Sequence, residues 1–559
     1  RPVSQPGSLL TALMFNLDKL FCCRWVRNKV PRACRDELYH ILRMTGPLLL
    51  SRILHYLLPF VVTMFCGRLG NDVMAGYGLA SAAINVTTAA TGCGLGLACD
   101  TLVSQTFGGK NLLRVGVILQ RGIIILMLFC LPCWGLLINA EAILLCMGQE
   151  PEVAMFLYNL QVSYLQNQGI IMPQMYTALL ANIANLATNF AFLHWANLGV
   201  VGSAAANTLS QIYICVFLFA YIWWRKLHVN TWGGWSVESL QEWGSYMKLA
   251  IPSLLMVCFE WWVYEFGGFF AGNFAADSRY QPFPLGIQAA ACARVGNALG
   301  AGDTARALLA SKLSLSLAVS FALVEGVVLG CTKTVIGYIF TSDENIARIV
   351  SNLMSAYCFL QLFDGLCVCT GIFLGTGKQR IPAVANFIAY YCVGLTMSVV
   401  LMFVAKLRVL GFWLGLLICV VLHSSFYIIV IFRLNWKKMT EEVFHLSSSF
   451  TREFLKRHRP NFKVLNIKST KGYSPVKTQQ HDGNSETRVE QEVRQQKSGR
   501  LSTTQLIIRR GLTMVTALAF LAVGTAVHFL VPLPEIGSNS TLDGINTTFP
   551  PLTSSSPVL

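Results

Sequence analysis

Eleven apolar stretches punctuate the chain, at about 46–67, 79–100, 115–138, 171–193, 199–224, 248–272, 309–332, 349–375, 381–404, 409–432 and 511–533. At roughly 20 residues each, they are long enough to carry a helix across about 30 Å of hydrocarbon. Backbone N–H and C=O groups in lipid must be satisfied within the spanning segment, so a chain of this kind folds as a bundle of helices. Two further segments, 153–170 and 282–300, are apolar but short or interrupted. Charged residues make up only 13% of the chain against 54% hydrophobic, and the mean hydropathy is +0.54. Soluble domains carry about a quarter charged residues, so a cytosolic enzyme, a nucleic-acid-binding protein and a disordered scaffold are all disfavoured. The expected fold class is an all-α integral membrane protein.

The formal charge of +16 sits mostly outside this apolar body. Residues 1–45 hold 8 Lys/Arg and 3 acids, and 434–510 hold 16 and 7, whereas 534–559 hold 2 acids and no base. Basic connections include Lys110/Arg114, Arg225/Lys226, Arg306/Lys312 and Lys378/Arg380, while 139–152 carries Glu141, Glu150 and Glu152 without a base. Basic loops stay cytoplasmic, which predicts a cytoplasmic amino end and an extracellular carboxyl tail in the plasma membrane. Lys406 and Arg408 break the pattern. Asn539-Ser540-Thr541 and Asn546-Thr547-Thr548 make Asn539 and Asn546 glycosylation candidates in that tail. The expected organisation is a segment 1–45, a bundle 46–224, a linker 225–247, a second bundle 248–433, a disordered basic linker 434–510, a last helix 511–533 and a tail 534–559. The basic linker could meet anionic membrane lipid through Lys456, Arg457, Arg459 and Lys463. No cleavable signal peptide is legible in 1–45, and the 18 cysteines read as reduced, small hydrophobes rather than a redox or metal motif.

The two bundles repeat one another. Ser104-Gln105-Thr106-Phe107-Gly108-Gly109-Lys110 aligns with Gly296-Asn297-Ala298-Leu299-Gly300-Ala301-Gly302, and Arg114 falls on Arg306, at an offset of 192. Pro47 matches Pro252 and Pro173 matches Pro382 at other offsets. From Glu150 to Pro173 there are 23 positions against 39 from Asp343 to Pro382, and from Pro47 to Ser104 there are 57 against 44 from Pro252 to Gly296. One helix is therefore shortened in each half, at the two interrupted segments. The parent plan is two homologous six-helix lobes of equal orientation plus a terminal thirteenth helix, a familiar way to build a transporter with its pathway between the halves.

Carboxylates inside spans are costly and mark function by default. Four stand out: Glu260, Glu265, Glu325 and Asp364. A carboxyl group held out of bulk water can exchange a proton near neutral pH, and its ionised form attracts an organic cation. Competition between the two ligands is a coupling mechanism in itself. Trp261, Trp262 and Tyr264 bracket Glu260 with aromatic faces suited to a cation. Glu260 and Glu265 lie five apart, about 140° around a helix, so they point to different places; Glu260 is the favoured group. Asn182, Asn185 and Asn189 form a polar stripe that either lines a pathway or bonds helices together. Asn85 and Asn185 are the asparagines set against the cavity. Arg52 and His55 read as local polar contacts. No Walker lysine loop, His-Glu-x-x-His or Gly-x-Ser-x-Gly occurs, so neither enzyme, cofactor nor metal site is expected, and transport would be ion-driven.

These residues give the chain its resemblance to the multidrug and toxic compound extrusion family, specifically its mammalian members. It is carried by Cys99-Asp100-Thr101-Leu102-Val103-Ser104-Gln105, Asn167-Gln168-Gly169, Thr231-Trp232-Gly233-Gly234-Trp235-Ser236, Glu260-Trp261-Trp262, Arg294-Val295-Gly296-Asn297-Ala298-Leu299-Gly300-Ala301-Gly302-Asp303 and Leu434-Asn435-Trp436-Lys437-Lys438. The resemblance implies proton-coupled antiport of organic cations by alternating access, with the family's seventh-helix glutamates at Glu260 and Glu265 and its tenth-helix acid at Asp364. It also implies that most of the fourth and eighth helices, with a glutamate of the latter, are missing. A non-transporting isoform and a flippase for a lipid-linked substrate are the competing readings.

Overall fold

The computed structural model describes residues 31–69, 81–82, 84–137, 150–196, 199–271, 282–340, 344–444 and 502–530. Helices succeed one another as α1 (Arg32–Leu69), α2 (Asn85–Ala89 running into Ala90–Gly108), α3 (Leu112–Leu137), α4 (Glu150–Gln166), α5 (Met172–Phe190 into Ala191–Trp195) and α6 (Gly199–Trp224). The second series is α7 (Trp243–Ala271), α8 (Pro282–Gly300), α9 (Thr304–Phe340), α10 (Glu344–Asp364, Gly365–Cys367 and Val368–Thr376), α11 (Arg380–Asn386 through Val400–Val404) and α12 (Arg408–Arg433), followed by α13 (Thr503–Leu530). No strand occurs among the described residues. Ten of these helices are long and apolar enough to cross a membrane. They coincide with ten of the eleven stretches read from sequence. The exception is α5, whose three asparagines lower its hydropathy.

The two interrupted segments are helices. The fourth, α4, has 17 residues where its counterpart α10 runs through 21, 3 and 9. The eighth, α8, keeps 19. Both are seated in the bundle, α4 against α2, α3 and α6, and α8 against α1, α2, α9 and α10. Retaining them keeps the alternation of the chain: the end of α4 meets the end of α8, where Asn297 Nδ2 donates to the Asn167 carbonyl at 3.3 Å. The connections after α2, α4, α6, α8 and α10 thus gather at one end of the bundle. Arg114 pairs with Glu242 there at 3.3 Å, Gln105 Nε2 donates to the Gly375 carbonyl at 3.0 Å, and Lys378 pairs with Glu442 at 3.4 Å.

Each lobe packs its own six helices, and the lobes meet through α1, α2 and the end of α4 on one side and α7, α8, α9 and α10 on the other. The seam shows the repeat in atomic detail. A Cβ added to Gly108 would stand 2.2 Å from the Asn297 carbonyl oxygen, and one added to Gly300, its repeat mate, would stand 2.0 Å from that of Gln105, the mate of Asn297. Further along, Gly94 lies against Leu254 and its mate Gly286 against Leu49. The α2 and α8 turns match as well: Lys110 and Gly302 both adopt left-handed backbone, at φ 60° and 81°. Two helices can approach this closely only where no side chain intervenes. α13 stands apart, packing on α3 by a similar glycine contact between Gly524 and Gly135.

Most of the cysteines whose side chains are described are buried. Asn539, Asn546, the acidic 139–149 connection and most of the basic linker lie outside the described residues.

Gly300→Ala should force α2 and α8 apart and cost about 1–3 kcal/mol, read as a lower thermal midpoint of the purified protein. Gly96→Ala on the same α2, where nothing lies within 4 Å of an added Cβ, should leave the midpoint unchanged or slightly higher.

Candidate functional site: a carboxylate cluster in the second lobe

Helix α7 presents its acids in two directions. Glu260 shares a face with Tyr264, four residues on, and that face turns into the second lobe. Tyr264 packs there beside Val263, Leu360, Tyr390 and Cys419. Glu265 turns to the seam, where Asn85 Nδ2 of α2 reaches its Oε1 at 3.4 Å. The angular separation read from sequence is therefore realised, and Asn85 belongs to the seam with Glu265.

Asp364 ends the first section of α10, just before a 3-10 turn at Gly365–Cys367. It faces Glu260 closely enough for the two charges to interact, and both act on Tyr264 and Tyr390. Glu325 of α9 is near enough to act on the charge of Asp364 and accepts a hydrogen bond from Gln361 Nε2 at 2.6 Å. Three of the four sequence candidates thus converge in one lobe from α7, α9 and α10. Among the described residues no hydrogen-bond donor is found for the carboxylates of Glu260 or Asp364. Like charges in such proximity favour a bound cation or a shared proton.

A neutral network underlies the cluster. Asn386 of α11 donates from Nδ2 to the Met256 carbonyl at 2.9 Å, which fixes its Oδ1 as an acceptor. Tyr427 OH donates to that Oδ1 at 2.6 Å, and His423 Nε2 lies 2.7 Å from it. Because a carbonyl oxygen only accepts, His423 carries its proton on Nε2. The rings of His423 and Tyr427 lie 4.0 Å apart, and Tyr390 flanks His423 at 5.4 Å. Helix α11 is π-helical over Phe387–Leu395, and Tyr390 lies in that section, buried. Local irregularity of this kind is frequent at functional sites. These groups were not singled out from sequence, since polar residues spread over two helices leave no local pattern.

Trp261 and Trp262 stand at the seam rather than over Glu260. Both pack with Met256, Val257 and Ala90, and Trp262 Nε1 donates to the Val86 carbonyl at 3.0 Å. Asn185 is fully buried away from the cluster. Its Nδ2 donates to the Leu58 carbonyl at 3.3 Å, and its Oδ1 accepts from Asn189 at 2.7 Å. Asn182 donates to the Leu54 carbonyl at 2.7 Å. The asparagine stripe therefore ties α5 to α1, the helix-bonding alternative.

A further in-span acid, Asp100 on α2, accepts from Asn167 Nδ2 at 2.6 Å and feels the charge of Arg52. The rule that flagged the other four acids applies to it equally, since it closes an apolar run. His55 stacks on Tyr158 of α4 at 5.4 Å, an aromatic contact between helices where a local polar one was expected.

The MatE family profile matches residues 47–191 and 277–400. Multidrug and toxin extrusion protein 1 of Danio rerio is 48% identical over 451 residues, 75% of this chain and 76% of the relative. The protein of the same description from Rattus norvegicus is 40% identical over 553 residues, 91% of this chain and 96% of its own length. The crystal structure of a eukaryotic MATE transporter superposes with a TM-score of 0.68 at 23% identity, covering 74% of this chain and all (100%) of that one.

Asn386→Ala should leave Tyr427 and His423 without their shared acceptor and cost about 1–3 kcal/mol, seen as a lowered thermal midpoint. Glu260→Gln removes a charge that no described donor holds, and should leave that midpoint unchanged.

Proposed function

The chain belongs to the multidrug and toxin extrusion family, and from that premise we propose that it expels organic cations in exchange for protons at the Glu260–Asp364 cluster. The observation that carries this reading is the convergence of Glu260, Asp364 and Glu325 on one region of the second lobe with tyrosines around them. When the carboxylates are ionised, the cluster attracts a cation by charge, and the rings of Tyr264 and Tyr390 offer it apolar and cation–π contact. A proton arriving from the opposite side neutralises the cluster and releases the cation. Bringing a second carboxylate near the first makes that exchange effective, because one proton or one cation relieves the repulsion of both. Glu265 and Asn85, at the seam, are placed to meet a substrate passing between the lobes.

The protein is a multi-pass membrane protein. We place it in the plasma membrane, with the end that carries Lys110, Arg225, Arg306 and Lys378 facing the cytoplasm, since these bases share one end of the bundle. The segments 1–45, 225–247 and 434–510 then lie inside and 534–559 outside, with lobes 46–224 and 248–433 between them.

Vesicles with an acid interior should accumulate tetraethylammonium, and dissipating the proton gradient should abolish this. The sign follows from exchange: protons leaving the vesicle drive the cation in. Glu260→Gln at equal membrane abundance should reduce the gradient-driven rate by about a hundredfold or more, as expected for loss of an essential proton carrier. Gradient-independent entry, or unaltered uptake by Glu260→Gln, would contradict the assignment; normal membrane delivery with no uptake by the parent chain would favour a non-transporting isoform.

A further inference from the structure

Among the described residues, Glu325 is the member of the carboxylate cluster that has a hydrogen-bond donor: Gln361 Nε2 reaches its Oε2 at 2.6 Å. Gln361 is fully buried, and its Oε1 finds no donor among those residues. An amide both donates and accepts. Through Nε2 it holds Glu325 as a carboxylate, and turned about its last torsion it holds Glu325 as a carboxylic acid through Oε1. A partner that serves both protonation states suits an acid that cycles between them. An acid that stays ionised is better held by guanidinium N–H groups, as Glu37 is by Arg294 and Arg306. Gln361 precedes Asp364 by three residues, so the two are neighbours on α10, and Asp364 is near enough to Glu325 to feel its charge.

Space opens along α9 beyond this contact. A Cβ added to Gly326 would stand 3.7 Å from Gln361 Oε1 and 3.9 Å from the Cys358 carbonyl, so this face of α9 looks onto α10 and leaves the amide room to turn. One turn further along the same face, a Cβ added to Gly330 would meet nothing within 4 Å. Lys333 then bridges the groove, its Nζ donating to Ser355 Oγ of α10 at 3.2 Å, about 12 Å along the helix from Glu325. It lies toward Phe340, the end of α9 remote from the turns that carry Lys110, Arg306 and Lys378. Such a groove suits a proton better than an organic cation. The ammonium of Lys333 repels a second cation, and the rings that suit one, Tyr264 and Tyr390, are within reach of Glu260 and Asp364.

We propose that Glu325 delivers protons to the cluster along the groove between α9 and α10, with Gln361 as its positioning residue, while Glu260 and Asp364 hold the cation. The Glu325 carboxyl gives its proton to a carboxylate oxygen of Asp364, and the Glu325 carboxylate left behind takes another from hydronium in the groove; cation binding runs both steps backwards. The inference rests on the antiport reading and adds a route to it. Its test is the rate of proton release, followed by stopped flow when tetraethylammonium is mixed with the purified protein and a pH indicator in weak buffer. Glu325→Gln should slow the release by about tenfold or more, with the Kd for tetraethylammonium and the protons released per cation at equilibrium changed by less than about threefold. Glu325→Asp, which keeps a carboxyl group, should recover most of the rate. Gln361→Met, which keeps the volume and removes the amide, should slow release as Glu325→Gln does. In deuterium oxide the release from Glu325→Gln should slow by a larger factor than that from the parent chain, an effect that a merely structural change does not produce. An unaltered rate in Glu325→Gln or Gln361→Met, no recovery in Glu325→Asp, or a Kd weakened by about tenfold in Glu325→Gln, which would seat the cation on Glu325, would each overturn the proposal. Release by the parent with an unaltered rate in Glu325→Gln removes the relay alone, whereas no release by the parent removes the antiport reading and the relay with it.

Discussion

Backbone contact between α2 and α8 sets the frame within which the other helices take their places. Gly108 against Asn297 and Gly300 against Gln105 leave no room for a Cβ on either side, so the helices meet along their main chains. The seam combines close backbone packing and directed hydrogen bonds, as helices do in lipid, with apolar packing of Ile41, Met44 and Leu48 against Ala289, Ala290 and Ala293. Thr101, Gln105 and Gln379 supply those bonds: Thr101 donates to the Leu374 carbonyl at 2.8 Å and accepts from Gln379 at 2.6 Å.

The proposed chemistry lies in one lobe. The acids of α7, α9 and α10 share this lobe with the section where α11 departs from regular helix, and Asn386, His423 and Tyr427 form a hydrogen-bonded network between α11 and α12. The first lobe answers differently at its own polar site, where Asp100 accepts a hydrogen bond from Asn167. One carboxylate is tied down, and the other pair has no described donor, which suits a reversible ligand site.

Much of this was legible because the internal repeat and the in-span acids are local or periodic signals. Offsets between Pro47 and Pro252 and between Ser104 and Gly296 locate the shortened elements, and α4, at about half the length of α10, stands where the first deficit falls. The five-residue spacing of Glu260 and Glu265 already separates a lobe-facing acid from a seam-facing one. Less legible was the partner of each polar residue. Trp261 and Trp262 neighbour Glu260 in sequence, yet helix rotation carries them to Ala90 and Val86. Asn185 bonds Leu58, far away in the chain, because a helix stripe reveals its face and not the neighbour it meets. Glu37, at the edge of an apolar run, looks like one more terminal charge until α8 and α9 bring two arginines to it.

The central claim is that one carboxylate cluster serves proton and cation in turn, so that each excludes the other. Its most direct test is proton release on binding: tetraethylammonium is added to the purified protein in weakly buffered detergent solution near neutral pH, and the liberated protons are read with a pH indicator. Shared occupancy predicts release of about one proton per bound cation, and Glu260→Gln should release none. Tight binding of the cation with no proton released at any pH across the neutral range, or equal release from Glu260→Gln, would contradict it.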